Sequence, residues 1–116
     1  MTATFADYAA QQDARNTIQL NVTKWTLMLC DALRDAAPKG YDYIIESGRK
    51  YHKVIMLDSA GGRSVHAFVD RKTGSVMKPA SWKSPAKGVR YDLRLIEQRE
   101  WLLENATWHG SYLYKR

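Results

Sequence analysis

The chain has 116 residues, of which 45% are hydrophobic, and a formal net charge of +6 at pH 7. This length suits one compact core, so we predict a single domain over residues 1–116, with a helical segment over residues 1–37 and the sheet, loop and second helix over residues 41–116. No apolar run approaches the ~20 residues of a membrane-spanning helix, which excludes a helical membrane protein.

The cysteine content and the N-terminal composition bear on compartment and chemistry. Cys30 is the only cysteine, which excludes an internal disulfide and a cysteine-rich zinc site. Residues 1–12 lack the basic and apolar parts of a secretory signal peptide. We therefore expect a cytoplasmic protein without a metal site or a cofactor.

The N-terminal third of the chain predicts a long helix. Between residues 5 and 37 there is neither Pro nor Gly, and most residues are good or neutral helix formers. We predict a helix over residues 16–36, preceded by a short leader helix and ended by Pro38 and Gly40. Apolar residues recur three and four positions apart and form one stripe: Ile18, Val22, Trp25, Leu29, Ala32 and Ala36.

Part of this stripe is a candidate subunit interface. A helix over residues 16–36 would be ~30 Å long, roughly the diameter of a small domain. Its stripe would then extend beyond the core of its own chain, and we assign Val22, Trp25 and Leu29 to contacts with a second subunit. The alternative for Trp25 is an ordinary place in the core.

The middle of the chain predicts four antiparallel strands in meander order. Strand-forming residues cover residues 41–46, 53–57, 64–70 and 75–78. In the third strand, alternation places Val65 and Ala67 on one face and His66 and Phe68 on the other. Residues 70–74 begin with Asp and end with Gly, which predicts a hairpin with a bulge.

The C-terminal part predicts a loop, a second helix and a last strand. Pro79 ends the fourth strand because it lacks a backbone donor, and residues 80–89 then form an irregular loop. The patterns over residues 93–105 and 108–114 predict a helix and a strand. The predicted fold class is α+β: a long N-terminal helix packed on a mainly antiparallel sheet of four or five strands, with a second helix near the C-terminus.

Most of the positive charge lies in residues 66–94. This stretch holds seven of the 18 Lys and Arg residues and two of the 12 acidic residues, so it carries +5 of the formal +6. It also contains Trp82 and Tyr91 and is broken by proline and glycine. A nucleotide has a base that stacks on aromatic rings and phosphates that attract cations, so the stretch predicts a site for a phosphorylated nucleotide-like ligand.

Trp82 and the nearby cations are the first candidates for this site. The polar, proline-broken surroundings of Trp82 argue against a deep core position, and we assign it to stacking on the base; a lid over the sheet edge is the alternative. Lys78, Lys87 and Arg90 would neutralise phosphates, although Arg90 is also placed to pair with Glu97.

Two further candidates carry polar side chains that suit other parts of a nucleotide. Asp92 is either an acceptor for ribose hydroxyls or a helix cap. His66 is a donor for a phosphate, and a satisfied surface histidine is the alternative reading of the same residue.

The pattern of titratable residues favours a binding protein over an enzyme. His52, His66 and His109 lack the spacing of a helical zinc site. Asp70 and Asp92 are the only acids in the basic stretch, whereas phosphate-cleaving enzymes use clustered carboxylates for metal. We therefore predict no catalytic residue and no metal ligand.

Two runs of residues carry a family resemblance. Residues 68–76, FVDRKTGSV, and residues 78–92, KPASWKSPAKGVRYD, resemble a block found in small bacteriophage proteins. The block is similar to that of the Thoeris anti-defence sponge family, whose members capture cyclic ADP-ribose-type signals made by bacterial TIR enzymes. The predicted order of a long helix, an antiparallel sheet and a C-terminal strand agrees with this family.

The resemblance implies a protein that holds the signal uncleaved in the host bacterial cytoplasm and so blocks TIR-based immunity. It implies a homodimer or a higher assembly of dimers, with pockets close to the subunit interface, and cyclic oligonucleotides as a further class of ligand. By resemblance, Trp82 stacks on the adenine, and Asp92 takes the place of a polar residue that tends to be Asn in the family. A basic residue near the chain end corresponds to Lys115 or Arg116.

Two other functions compete with this one. A small basic phage protein that binds single-stranded nucleic acid would use the same residues along an extended groove, and its affinity would fall steeply with salt. A phage protein that inhibits a host protein through the basic face would show neither mode of binding.

Overall fold

The computed structural model describes the backbone of residues 5–114 and the side chains of residues 14–114. The five strands form one antiparallel sheet in chain order, and two helices pack on its core side, so the predicted α+β fold class is confirmed. The elements are α1 (Phe5–Ala36), β1 (Asp42–Ser47), β2 (Tyr51–Leu57), β3 (Arg63–Asp70), β4 (Ser75–Met77), β5 (Tyr91–Asp92), α2 (Ile96–Asn105) and a 3-10 helix at Ser111–Tyr114.

Helix α1 is one continuous element of 32 residues, rather than a leader helix and a separate main helix. The sequence between residues 5 and 36 contains no helix breaker, so the backbone hydrogen bonds run through without interruption. One face of α1 packs on the sheet, where Val22, Leu29 and Leu33 are fully buried. Within residues 5–114, no helix combines the length and the apolar composition that a membrane span requires.

The structure corrects the predicted subunit interface. Val22 and Leu29 are fully buried within one chain, because the sheet and α2 cover them. Trp25 packs at the margin of the same core, with the Arg99 guanidinium 4.2 Å from its ring centroid. The large apolar side chains that remain exposed on the described part of α1 are Ile18, Leu20, Leu27 and Met28.

A β-bulge in β3 changes the predicted alternation. Val54 pairs with Ala67 and Ile55 pairs with Val65, so His66 is an extra residue without a partner on β2. The bulge turns His66 to the side of Ala67 and α1, where it is buried with its Nε2 2.7 Å from the Tyr112 hydroxyl. His66 is therefore a core residue, not the surface residue that strict alternation predicts.

The last segment differs from the prediction of a strand. Residues 108–109 form a turn, closed by the Gly110 N–H donating to the Thr107 carbonyl at 3.0 Å. Gly110 adopts φ +76°, a left-handed conformation, and the following residues form the 3-10 helix. This turn buries Tyr112 and Leu113, and the Tyr91 hydroxyl donates to the Tyr112 carbonyl at 2.7 Å. The fifth strand is instead the short β5, which pairs with β4.

The buried position of His66 predicts a loss of stability in mild acid. Burial lowers the pKa of His66 from 6.5 to about 4, with a smaller contribution from His109. Between these pH values the unfolded chain binds a proton that the folded chain does not, so stability falls as the pH falls. From about pH 7.5 to about pH 5, His66 should account for a loss of roughly 2 kcal/mol in the free energy of unfolding.

Urea unfolding at both pH values measures this effect. The His66→Gln variant should show a smaller pH dependence than the wild-type protein, because the titrating ring is gone. Tyr112→Phe is the matched control: it removes the same hydrogen bond but keeps the imidazole, and it should retain the wild-type pH dependence. Equal pH dependence in His66→Gln and the wild type would contradict the assignment.

Candidate functional site

Residues 78–90 connect β4 to β5 through a tight loop that presents Trp82. The Ala86 N–H donates to the Lys78 carbonyl at 2.8 Å, and the Ala80 N–H donates to the Ser84 carbonyl at 3.0 Å. At the tip, Ser81 Oγ accepts the backbone N–H groups of Lys83 and Ser84, both at 3.3 Å. The loop that was predicted to be irregular is thus closed by its own backbone, and its tip has a defined shape.

The Trp82 ring lies beside two cations from the sheet. The Lys53 Nζ lies 4.6 Å from the ring centroid, and the Arg63 guanidinium carbon lies 5.7 Å from it. Val54 belongs to the core on the α1 side of the sheet. Its neighbour Lys53 therefore faces the opposite side, where the Trp82 ring lies, and we call this side the loop face. Trp82 remains 42% exposed, so the ring is oriented by these cations but not enclosed.

Glu46 is the acidic partner of both cations. It pairs across the strands with Lys53, and its carboxylate oxygens lie 3.8 Å from the Lys53 Nζ and 3.6 Å from the Arg63 Nη2. Glu46 and Arg63 are exposed, so these ion pairs contribute little stability. Through these ion pairs Glu46 lies between two cationic side chains that both contact the indole.

Two pockets adjoin this cluster. The indole pocket, with a volume of about 350 Å³, lies between residues 63–65 and residues 79–82. It presents the indole, the Arg63 side chain and the residues Ser64 and Ser81, a combination that suits a flat ring with polar substituents.

The turn pocket has a volume of about 270 Å³ and lies at the end of the β1–β2 hairpin. Among the described residues that line it, four are cationic, one is acidic and two are aromatic: Arg49, Lys50, Lys53 and Lys83; Glu46; Tyr51 and Phe68. Lys53 lines this pocket and also contacts Trp82, so one cation connects the turn pocket to the indole.

The structure separates most of the predicted cations from Trp82. The Lys78 Nζ lies over the Tyr114 ring at 4.6 Å, and Lys87 is exposed elsewhere on the loop. The Arg90 backbone N–H donates to the Val76 carbonyl, and its Nε is buried without a hydrogen-bond partner among the described residues. None of these three lines the indole pocket or the turn pocket.

The remaining predicted residues also lie away from the indole. Asp92 accepts the Arg94 backbone N–H at 2.9 Å and pairs with the Arg94 side chain, so it acts as a local turn acceptor. His66 is buried in the core. Lys115 and Arg116 lie outside the described residues.

The structure instead places Lys53 and Arg63 beside Trp82 and pairs both with Glu46, an arrangement that the sequence pattern does not predict. A signal for one pair was present: a hairpin between the first two predicted strands places Glu46 opposite Lys53. No local pattern indicates Arg63, because its place depends on how the loop folds over β3.

A second histidine, His52, forms two side-chain hydrogen bonds beneath the turn pocket. Thr23 Oγ1 donates to the Gln19 carbonyl at 2.9 Å, so it accepts the Nε2–H of His52 at 3.0 Å. The Nδ1 of His52 then accepts the Ser47 hydroxyl at 2.7 Å. Burial, and then the charge of Arg71, lowers the pKa of His52, which keeps the ring neutral and suited to this role.

This chain of bonds ties the turn at Ser47 to helix α1. A serine bonded to a histidine is also the start of a nucleophilic triad, but the third residue here is a threonine rather than an acid. Within the described residues, no group of three or more His, Cys, Asp or Glu side chains is placed to hold a metal ion.

Comparison with known proteins shows a match at the level of a family. A model described as "Family of unknown function (DUF7717)" matches residues 5–115. No curated protein and no solved structure matches the chain.

The Ser47 bond to His52 yields a stability prediction. Ser47→Ala removes the donor for a buried ring nitrogen, which should lower the free energy of unfolding by about 1 kcal/mol. Ser59→Ala, at an exposed serine in the β2–β3 turn, is the matched control and should change it by less than about 0.5 kcal/mol. Urea unfolding measures both variants. Equal losses in the free energy of unfolding would contradict a stabilising hydrogen bond between Ser47 and His52.

Proposed function

This chain belongs to DUF7717, a family of unknown function, and we propose that it is a non-catalytic protein that binds a compact phosphorylated nucleotide and holds it intact. The observation that carries the proposal is the half-exposed Trp82 ring beside Lys53 and Arg63. An exposed indole offers a stacking surface for a base, worth about 1–3 kcal/mol per base. The adjacent cations offer partners for phosphate.

The specific ligand that we propose is a cyclic ADP-ribose-type signal. This choice rests on the resemblance of residues 68–76 and 78–92 to the Thoeris anti-defence sponges. In this proposal the chain is a phage protein that sequesters the signal in the host cytoplasm as a homodimer or an assembly of dimers. Lys53 and Arg63, rather than Lys78, Lys87 and Arg90, take the phosphate role.

A matched pair of tryptophan variants tests the proposal. Trp82 and Trp101 are both 42% exposed, but only Trp82 lines the indole pocket. Trp82→Ala should weaken the binding of cyclic ADP-ribose isomers at least about tenfold in titration calorimetry, because the stacking surface is lost. Trp101→Ala should bind as the wild type does, provided that thermal unfolding shows both variants to be folded.

The same experiment identifies a wrong assignment. If Trp82→Ala binds these isomers as tightly as Trp101→Ala, the indole is not the stacking surface. Sequestration is tested by incubating the protein with a TIR-generated signal, then heating it and analysing the released nucleotide. An intact nucleotide is expected, and a cleaved product would contradict a non-catalytic role.

Single-stranded nucleic acid is the competing ligand, because the turn pocket extends the basic surface beyond the indole pocket. Binding across several phosphates releases counterions, so affinity for a short oligonucleotide would fall steeply as salt rises. A small nucleotide in one pocket should show a weaker salt dependence. Titration of both ligands at two salt concentrations separates the two functions.

A further inference from the structure

More cations line the turn pocket than its ion pairs neutralise. Four cations and one acid line its described part, and the acid, Glu46, is already shared between Lys53 and Arg63. Arg49, Lys50 and Lys83 have no described acidic partner within 4 Å. The pocket therefore keeps an unbalanced positive charge that suits a polyanion.

Two of the cations that line the turn pocket lie over aromatic rings. The Lys50 Nζ lies 5.3 Å from the centroid of the Tyr51 ring, and the Lys53 Nζ lies 6.0 Å from that of Phe68. The two rings contact each other edge to face, with centroids 5.7 Å apart. Contacts between cations and rings restrict the long lysine side chains, so less entropy is lost when an anion binds.

Hydrogen bonds to Tyr51 and Arg71 also fix the backbone of the turn. Gly48 donates its N–H to the Tyr51 carbonyl at 2.9 Å, and its own carbonyl accepts the Arg71 Nη1 at 2.6 Å. The Arg71 backbone N–H donates to the Lys50 carbonyl at 3.0 Å. Together with the bond between Ser47 and His52, these contacts fix the turn and add the charge of Arg71 beneath it.

We propose that the turn pocket is a second binding site and that it takes a diphosphate group. A diphosphate carries several negative charges on a compact group, which matches a cluster of cations better than a single carboxylate does. Lys53 contacts the indole and lines the turn pocket, so one ligand could place its base on Trp82 and its diphosphate at the hairpin. This combined ligand rests on the proposed function, whereas the diphosphate site does not.

Titration calorimetry with inorganic pyrophosphate and with ADP tests the site in the full chain. Arg49→Gln/Lys50→Gln should weaken both ligands about fivefold or more, because two lining charges are lost. Lys24→Gln/Lys39→Gln is the matched control: it removes the same charge from exposed positions outside both pockets and should change either affinity less than about twofold. Trp82→Ala should weaken ADP more than pyrophosphate, because only ADP carries a base that stacks on the indole.

Each outcome separates this site from the proposed function. If pyrophosphate does not bind, or if both double variants affect it equally, the diphosphate site is overturned, even if nucleotide binding still depends on Trp82. If pyrophosphate binds through Arg49 and Lys50 but no nucleotide depends on Trp82, the diphosphate site stands and the proposed function is overturned. If Trp82→Ala weakens pyrophosphate as much as ADP, the two pockets are not separate sites, and the inference is overturned.

Discussion

The contact of the Trp82 ring with Lys53 and Arg63 is the interaction on which the candidate site depends. The two cations come from neighbouring strands, where Lys53 pairs with Phe68 and Arg63 pairs with Leu57, and the loop places the indole next to both. Cation–π contacts at exposed sites are worth about 0.5–1 kcal/mol each. That is enough to favour one orientation of the ring and too little to bury it, so the ring stays available to a ligand.

The fold leaves part of the loop face open to water, although Ile55 and Phe68 are buried there. On the opposite face, α1 and α2 cover the apolar side chains of the sheet, including Tyr43, Val54 and Val69. The bulge at His66 serves this core, because it turns a histidine inward to Tyr112. With the main core on the helical side, charged residues on the loop face stay partly in water, where their charges cost little.

The two pockets divide the features of a nucleotide between them. The indole pocket offers an aromatic surface and hydroxyl-bearing residues, and the turn pocket offers clustered cations on a fixed turn. Lys53 lines the turn pocket and contacts the indole, and Glu46 pairs with both Lys53 and Arg63. An arriving phosphate would compete with Glu46 for these cations, which would make binding sensitive to the charge of the ligand.

Much of the fold could be predicted because its signals are local. An uninterrupted run of helix formers defines α1, alternation and turn residues define β1 to β4, and Asp70 and Gly74 close the predicted hairpin. The bulge at His66 and the 3-10 helix after Gly110 were missed, because both depend on packing against Tyr112 and its neighbours. Alternation alone carries no sign of either feature.

The sequence by itself determined the class of the fold, the loop and the exposure of Trp82, whose polar and proline-broken surroundings keep it out of the core. The tertiary structure decided which cations reach the ring. Lys78 and Lys87 are near Trp82 in the chain but not in its pocket, whereas Lys53 and Arg63 are distant in the chain and contact it. The physical reason is that strand register and loop closure set distances in space, and charge density along a sequence does not.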